Sequence, residues 1–111
     1  HDALPILTEL TWDDTVATAA MTRSKEIEKS FSHTRPDGRN FGTAITDLGI
    51  TYRGAGENIA WGQKTPEAVM NAWMNSEGHR ANILNPNFKK LGVGYRTDSQ
   101  RTPYWTQLFT Y

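Results

Sequence analysis

His33, Glu57 and His79 are the residues whose types and settings could do chemistry in this chain. Each lies in a short segment dense in functional side chains: Phe31-Ser32-His33, Gly56-Glu57-Asn58-Ile59-Ala60, and Ser76-Glu77-Gly78-His79-Arg80-Ala81-Asn82-Ile83-Leu84. Imidazole carries protons near neutral pH and binds transition metals. A fold that gathers the three segments therefore builds an imidazole–carboxylate site, suited to acid–base work or to holding an ion.

Taken singly, each residue also has an ordinary structural role. His33 stands between a helix and a tight turn, where it can cap carbonyls or face water. Glu57 is set among small and apolar residues, so if buried it demands a donor, and histidine is an obvious one. His79 follows Gly78 and can cap a helix end, where a cation is favoured. Asn58 and Asn82, beside Ile59 and Ile83-Leu84, are suited to satisfying buried backbone groups. Trp73 belongs to a buried helix face, while Trp61 and Trp105 are open between core and a carbohydrate platform.

The elements that must position these residues are legible in the spacing. Thr11-Trp12-Asp13-Asp14 fits a loose capping box. Val16, Ala20, Ile27 and Phe31 then share one helical face, which predicts a first helix over 12–31. Arg35-Pro36-Asp37-Gly38 is a turn; Asp37 is expected to cap a second helix carrying Phe41, Ala44, Ile45 and Leu48, stopped by Gly49. Thr65-Pro66-Glu67 opens a third helix, with Val69, Ala72, Trp73 and Ser76 on its inner face and Gly78 as its break. A short turn of helix over 80–84 ends at Asn85-Pro86. Residues 52–61 read as a strand, and 91–95 and 104–109 as a hairpin across the polar loop 97–103. This order favours an α+β domain, an antiparallel sheet covered by helices.

Composition narrows the function classes. The 111 residues suffice for one domain, here 1–111, with four each of Trp, Tyr and Phe to bury. Twelve basic residues balance twelve acidic ones, so the chain has no electrostatic footprint for nucleic acid. There is no cysteine, which excludes thiolate chemistry and disulfides. No apolar run is long enough to span a bilayer. The chain opens without a signal peptide, as a mature secreted domain would.

The ordered series of motifs carries a further message. Phe31-Ser32-His33, Arg35-Pro36-Asp37-Gly38-Arg39, Gly56-Glu57-Asn58-Ile59-Ala60 and Thr65-Pro66-Glu67 come first. Ala72-Trp73-Met74, the Gly78-His79-Arg80 and Asn82-Ile83-Leu84 pair, Gly92-Val93-Gly94 and Tyr104-Trp105-Thr106-Gln107 follow. Over residues 7–109 the series closely resembles the bacterial branch of the CAP superfamily, the SCP-like extracellular domains. The resemblance implies an α-β-α sandwich and an extracellular or cell-wall-associated location. It also implies a cleft that in eukaryotic members carries two histidines and two glutamates able to bind a divalent metal, often zinc. By motif, His33 and Glu57 match one histidine and one glutamate of that set. The other glutamate falls on Ser76 and the other histidine on Tyr104, and His79 is the candidate to replace the lost imidazole. The expected ligand cleft is therefore His33, Glu57, Ser76, His79 and Tyr104, with His33, His79 and Glu57 as metal ligands and as the candidate catalytic groups. Relatives usually begin with a helix before the Leu-x-Trp segment, and this chain is expected to lack it. Two functions fit: a secreted binding module for a lipid, glycan, peptide or protein, or a metal-dependent or acid–base hydrolase acting on peptide or cell-wall material. The sequence has no His-Glu-x-x-His, Gly-x-Ser-x-Gly or cysteine nucleophile.

Overall fold

The computed structural model describes residues 9–111. The expectation of a missing N-terminal helix concerns residues outside the described part. Eight elements follow in order: β1 (Thr11–Trp12), α1 (Asp14–Lys29), α2 (Thr43–Thr46), β2 (Ala55–Trp61), α3 (Pro66–Met74), α4 (Glu77–Ile83), β3 (Lys90–Thr97) and β4 (Pro103–Thr110).

The sheet has the order β1-β3-β4-β2. The β3–β4 hairpin is antiparallel and pairs Tyr95 with Trp105, and β2 runs antiparallel to β4 with Glu57 opposite Leu108. Only the short β1 is parallel to its neighbour. β2 is thus an edge strand, a fact on which the site depends.

Period-two alternation on β4 sends its side chains to two helical layers. Leu108 joins Val16, Ala19 and Ala20 of α1 and Ala44 and Ile45 of α2 in one core. Trp105 joins Ala60 of β2 and Val69 and Trp73 of α3 in the other. The expected sandwich, a sheet between two helical layers, is what forms.

Several local readings are corrected. Thr11 does not cap α1, because it pairs in the sheet with Lys90. Asp13 caps instead, its Oδ1 accepting from the amides of Thr15 and Val16 at 2.9 Å each. The helix ends at Lys29, which leaves Phe31 outside it and half exposed. Asp37 caps nothing; its carboxylate holds Arg39 at 2.8 Å, and the second helix shrinks to one turn. Gly78 does not break a helix but lies inside α4, so His79 stands in that helix's first turn rather than at the end of α3. The third helix does start as expected, with Thr65 Oγ1 accepting from the Ala68 amide and Pro66 leading.

α1 crosses the sheet at two glycines. A Cβ on Gly92 would lie 2.2 Å from the Ala17 backbone nitrogen, and one on Gly94 would lie 2.3 Å from the Ala20 carbonyl oxygen. Only the absence of side chains there lets helix backbone rest on strand backbone.

Candidate functional site

The site forms where both helical layers overhang edge strand β2. From the α1 layer comes the segment after the helix, Phe31-Ser32-His33; from the other layer come Ala72, Trp73, Ser76 and His79; between them lie Ile59, Ala60 and Trp61 of β2, with Gln63 beyond. Together they line a cleft of about 470 Å³.

Glu57 is anchored behind it. Its side chain is fully buried, and Arg23 of α1, also fully buried, grips it twice, Nε to Oε2 at 2.7 Å and Nη2 to Oε1 at 3.1 Å. The same Oε1 meets His33 Nδ1 at 2.7 Å. The demand that a buried Glu57 find a donor is therefore met twice over, by histidine and by an arginine that the sequence reading overlooked. The signal for Arg23 was present: positions 16, 20, 23 and 27 form one stripe at helical spacing, and a guanidinium on an apolar stripe needs a buried anion.

Arg23 is itself braced. Nη1 donates to Glu26 Oε1 at 2.9 Å, and Nη2 donates to the Ser32 carbonyl at 2.5 Å. Burial opposes the Arg23 charge, but the hydrogen bonds from Glu57 and Glu26 outweigh it and raise its pKa. Glu26 meets Arg35 at 2.8 Å, Arg35 meets Asp47 at 3.2 Å, and Arg39 joins Asp47 to Asp37. An alternating line of charges thus runs from the cleft wall to the surface turn. Its effect on the site is mechanical: Glu57 cannot swing, and so the His33 ring is held by Nδ1 with its side chain still 58 % exposed.

His79 is placed by the other layer. Its Nδ1 and Ser76 Oγ are 2.8 Å apart, and Ser76, although at the N-terminal cap position of α4, makes no capping bond with its side chain. Burial first, and the proximity of His33 second, lower the His79 pKa below the usual imidazole value. The two imidazoles therefore share one hollow, with His79 biased toward its neutral form. The α4 backbone is tied to β2 by two asparagines, since Asn58 Nδ2 donates to the His79 carbonyl at 3.1 Å and Asn82 Nδ2 donates to the Glu57 carbonyl at 3.2 Å. Both amides thus fill the structural role expected of them.

The remaining candidates divide. Ser76 lines the cleft; Tyr104 does not, because its hydroxyl donates to Asp98 Oδ2 at 3.1 Å. Tyr104 instead borders a neighbouring hollow with Ile27, Glu28, Phe31 and Trp61. Trp73 is core, its Nε1 donating to the Ile59 carbonyl at 3.2 Å. Trp105 is buried too, and Trp61 is left 57 % exposed at the cleft mouth.

A family model, the cysteine-rich secretory protein family (CAP), matches residues 6–109. This chain belongs to that family. It does so without a single cysteine, so no disulfide within this chain holds the CAP fold. It is 48 % identical over 99 residues to YkwD of Bacillus subtilis, covering 87 % of this chain and 37 % of that protein. An extracellular protein of Bacillus anthracis containing an SCP domain superposes with a TM-score of 0.85 at 36 % identity, over 94 % of this chain and 34 % of that one. NaASP2, solved with Zn2+, has a TM-score of 0.63 at 19 % identity, over 93 % of this chain and 60 % of that one, a likeness of fold alone. The CAP chain thus spans about a third of the length of these two Bacillus relatives.

Proposed function

We propose that this CAP domain is an extracellular binding module whose ligand lies in the cleft over β2. The observation that carries the reading is the locked wall: His33 fixed by Glu57, and Glu57 fixed by Arg23, behind the lining of a cleft of about 470 Å³. A rigid concave site with a few oriented polar groups is the usual form of a ligand pocket. The extracellular setting is supported by the Bacillus anthracis relative, an extracellular protein containing an SCP domain.

The same wall disfavours Glu57 as a general base. Both its oxygens already accept from Arg23, one also meets His33, and its side chain is fully buried behind the cleft lining, so it is not placed to reach a substrate water. Hydrolysis through this carboxylate is accordingly the weaker reading.

A three-ligand zinc centre does not fit these residues. Among the described residues no group of three His, Cys, Asp or Glu side chains is arranged to hold an ion. Of the expected ligands, Glu57 is consumed by the guanidinium, which leaves the two imidazoles. Catalytic zinc ordinarily takes three protein ligands. The role expected for Glu57 in metal binding is thus replaced by an orienting role toward His33.

NMR titration of isotope-labelled protein with lipid, peptide and glycan probes tests the proposal. Saturable shifts should centre on His33, Ile59, Ala60, Ser76 and His79. Shifts centred on the hollow around Val16 and Ile50, or conversion of a probe to products, would count against it.

A further inference from the structure

We infer that the ligand of this cleft is an uncharged, N-acetylated glycan, laid across the exposed faces of Phe31 and Trp61. The inference rests on the binding reading above and names the ligand class.

The first observation is the cleft's charge. Its eleven lining residues include no aspartate, glutamate, lysine or arginine, in a chain where 22 % of residues are charged. Glu57 contributes no open face, since its side chain is fully buried behind His33. The ionisable side chains of the wall are the imidazoles of His33 and His79, the latter with its pKa lowered, so a formally charged ligand meets no carboxylate, ammonium or guanidinium there, and desolvating a charge without a partner is costly.

The second is the arrangement of apolar and polar groups. Phe31 is 49 % and Trp61 57 % exposed, and both border the cleft and the adjoining hollow lined by Ile27, Glu28 and Tyr104. They are shared by the two depressions and leave aromatic surface exposed between them. Aromatic faces carry negative charge density and attract the polarised C–H groups that line one face of a pyranose. The same cleft is lined by Ser76, His79, His33 and Gln63, whose side chains can donate and accept, as hydroxyl groups require.

The third is an orphan. Gln63 Oε1 is the buried side-chain oxygen that finds no hydrogen-bond donor among the described residues. Turning it toward the cleft breaks no existing bond, and what it lacks is a hydrogen-bond donor. An acetamido group supplies an N–H beside a small methyl.

The edge strand argues against an extended peptide. A peptide would add to β2 through free outward carbonyls. Those of Glu57 and Ile59 are already occupied, by Asn82 Nδ2 and by Trp73 Nε1. Two acceptors in the middle of the edge are thereby withdrawn from strand addition.

The test is an NMR titration with chitotriose, maltotriose, trigalacturonate, palmitate and trialanine, following the Trp61 indole and the His33 and His79 ring signals. Chitotriose should shift all three saturably, maltotriose more weakly, and trigalacturonate not at all. Trp61→Ala should weaken chitotriose at least about tenfold, and Phe31→Ala should do so to a smaller degree. Both side chains are half exposed, so unchanged melting curves should accompany the loss. If palmitate or trialanine shifts the two imidazoles and chitotriose does not, the glycan inference falls while the binding reading stands. If chitotriose binds Trp61→Ala as well as it binds the parent, the exposed aromatic surface is not the platform and the inference falls. If no probe reaches the cleft, both readings fall.

Discussion

Arg23 and Glu57 together decide what His33 can do. Each is buried, and loss of either would strip the other of its closest counter-charge, leaving Arg23 with Glu26 and Glu57 with His33. Removing one partner of a buried pair typically costs about 3–5 kcal/mol, whereas replacing both by apolar groups can be nearly neutral. Glu57→Leu should therefore lower unfolding free energy by about 3 kcal/mol, and adding Arg23→Met should recover a good part of it. Urea unfolding of the two single variants and the double variant measures this; simple additivity would show that the pair is not coupled. His79 yields a pH prediction. Its folded pKa is lowered by burial and by His33. Well above the ordinary imidazole value of about 6.5 the ring is neutral in both states. As pH falls through that value the unfolded chain takes up its proton before the folded one, so stability falls with it. The drop in melting temperature from pH 7.5 to 5.5 should be smaller in His79→Gln than in the parent. An identical drop in both would remove His79 as its source.

The elements carry a different kind of information. α1, α3 and the β3–β4 hairpin follow from periodicity and caps, and all three form close to where the spacing puts them. Strand β1 did not announce itself, because two residues have no period, and its stability comes from pairing with β3. The short α2 and the displaced start of α4 fail for a related reason: a turn of helix is fixed by its neighbours more than by propensity. Glycines show the point sharply. Gly92→Ala and Gly94→Ala would press a methyl into the α1 backbone and should each cost about 2–3 kcal/mol or more. Gly78 lies within α4, and a Cβ there meets nothing within 4 Å. Gly78→Ala should instead stabilise by about 0.4–1 kcal/mol. Thermal unfolding of the three variants checks the ordering, and a tolerated Gly94→Ala would contradict the close crossing.

At the scale of the whole molecule, the cleft exists because two helical layers extend past one sheet edge. A metal bound specifically to the native protein at a hundred times its Kd would stabilise it by about 2.7 kcal/mol. With Glu57 unavailable, micromolar zinc should leave the melting temperature of chelator-treated protein unchanged. A clear rise that disappears in the His33→Ala, His79→Ala double variant would restore a metal site. The sequence by itself determined the family and the sandwich, since motif order and hydrophobic period are properties of the chain, and it singled out residues 33, 57 and 79 as candidates for the site. Even Arg23 was written into it, as a charge on an apolar stripe. Only tertiary structure decided which partner claims the carboxylate. Arg23 lies 34 positions from Glu57 and His33 lies 24 away, and both reach it only after α1 packs on the sheet. Competition for one buried acceptor is settled by distance in space, and the guanidinium, with its fork of donors, takes both oxygens.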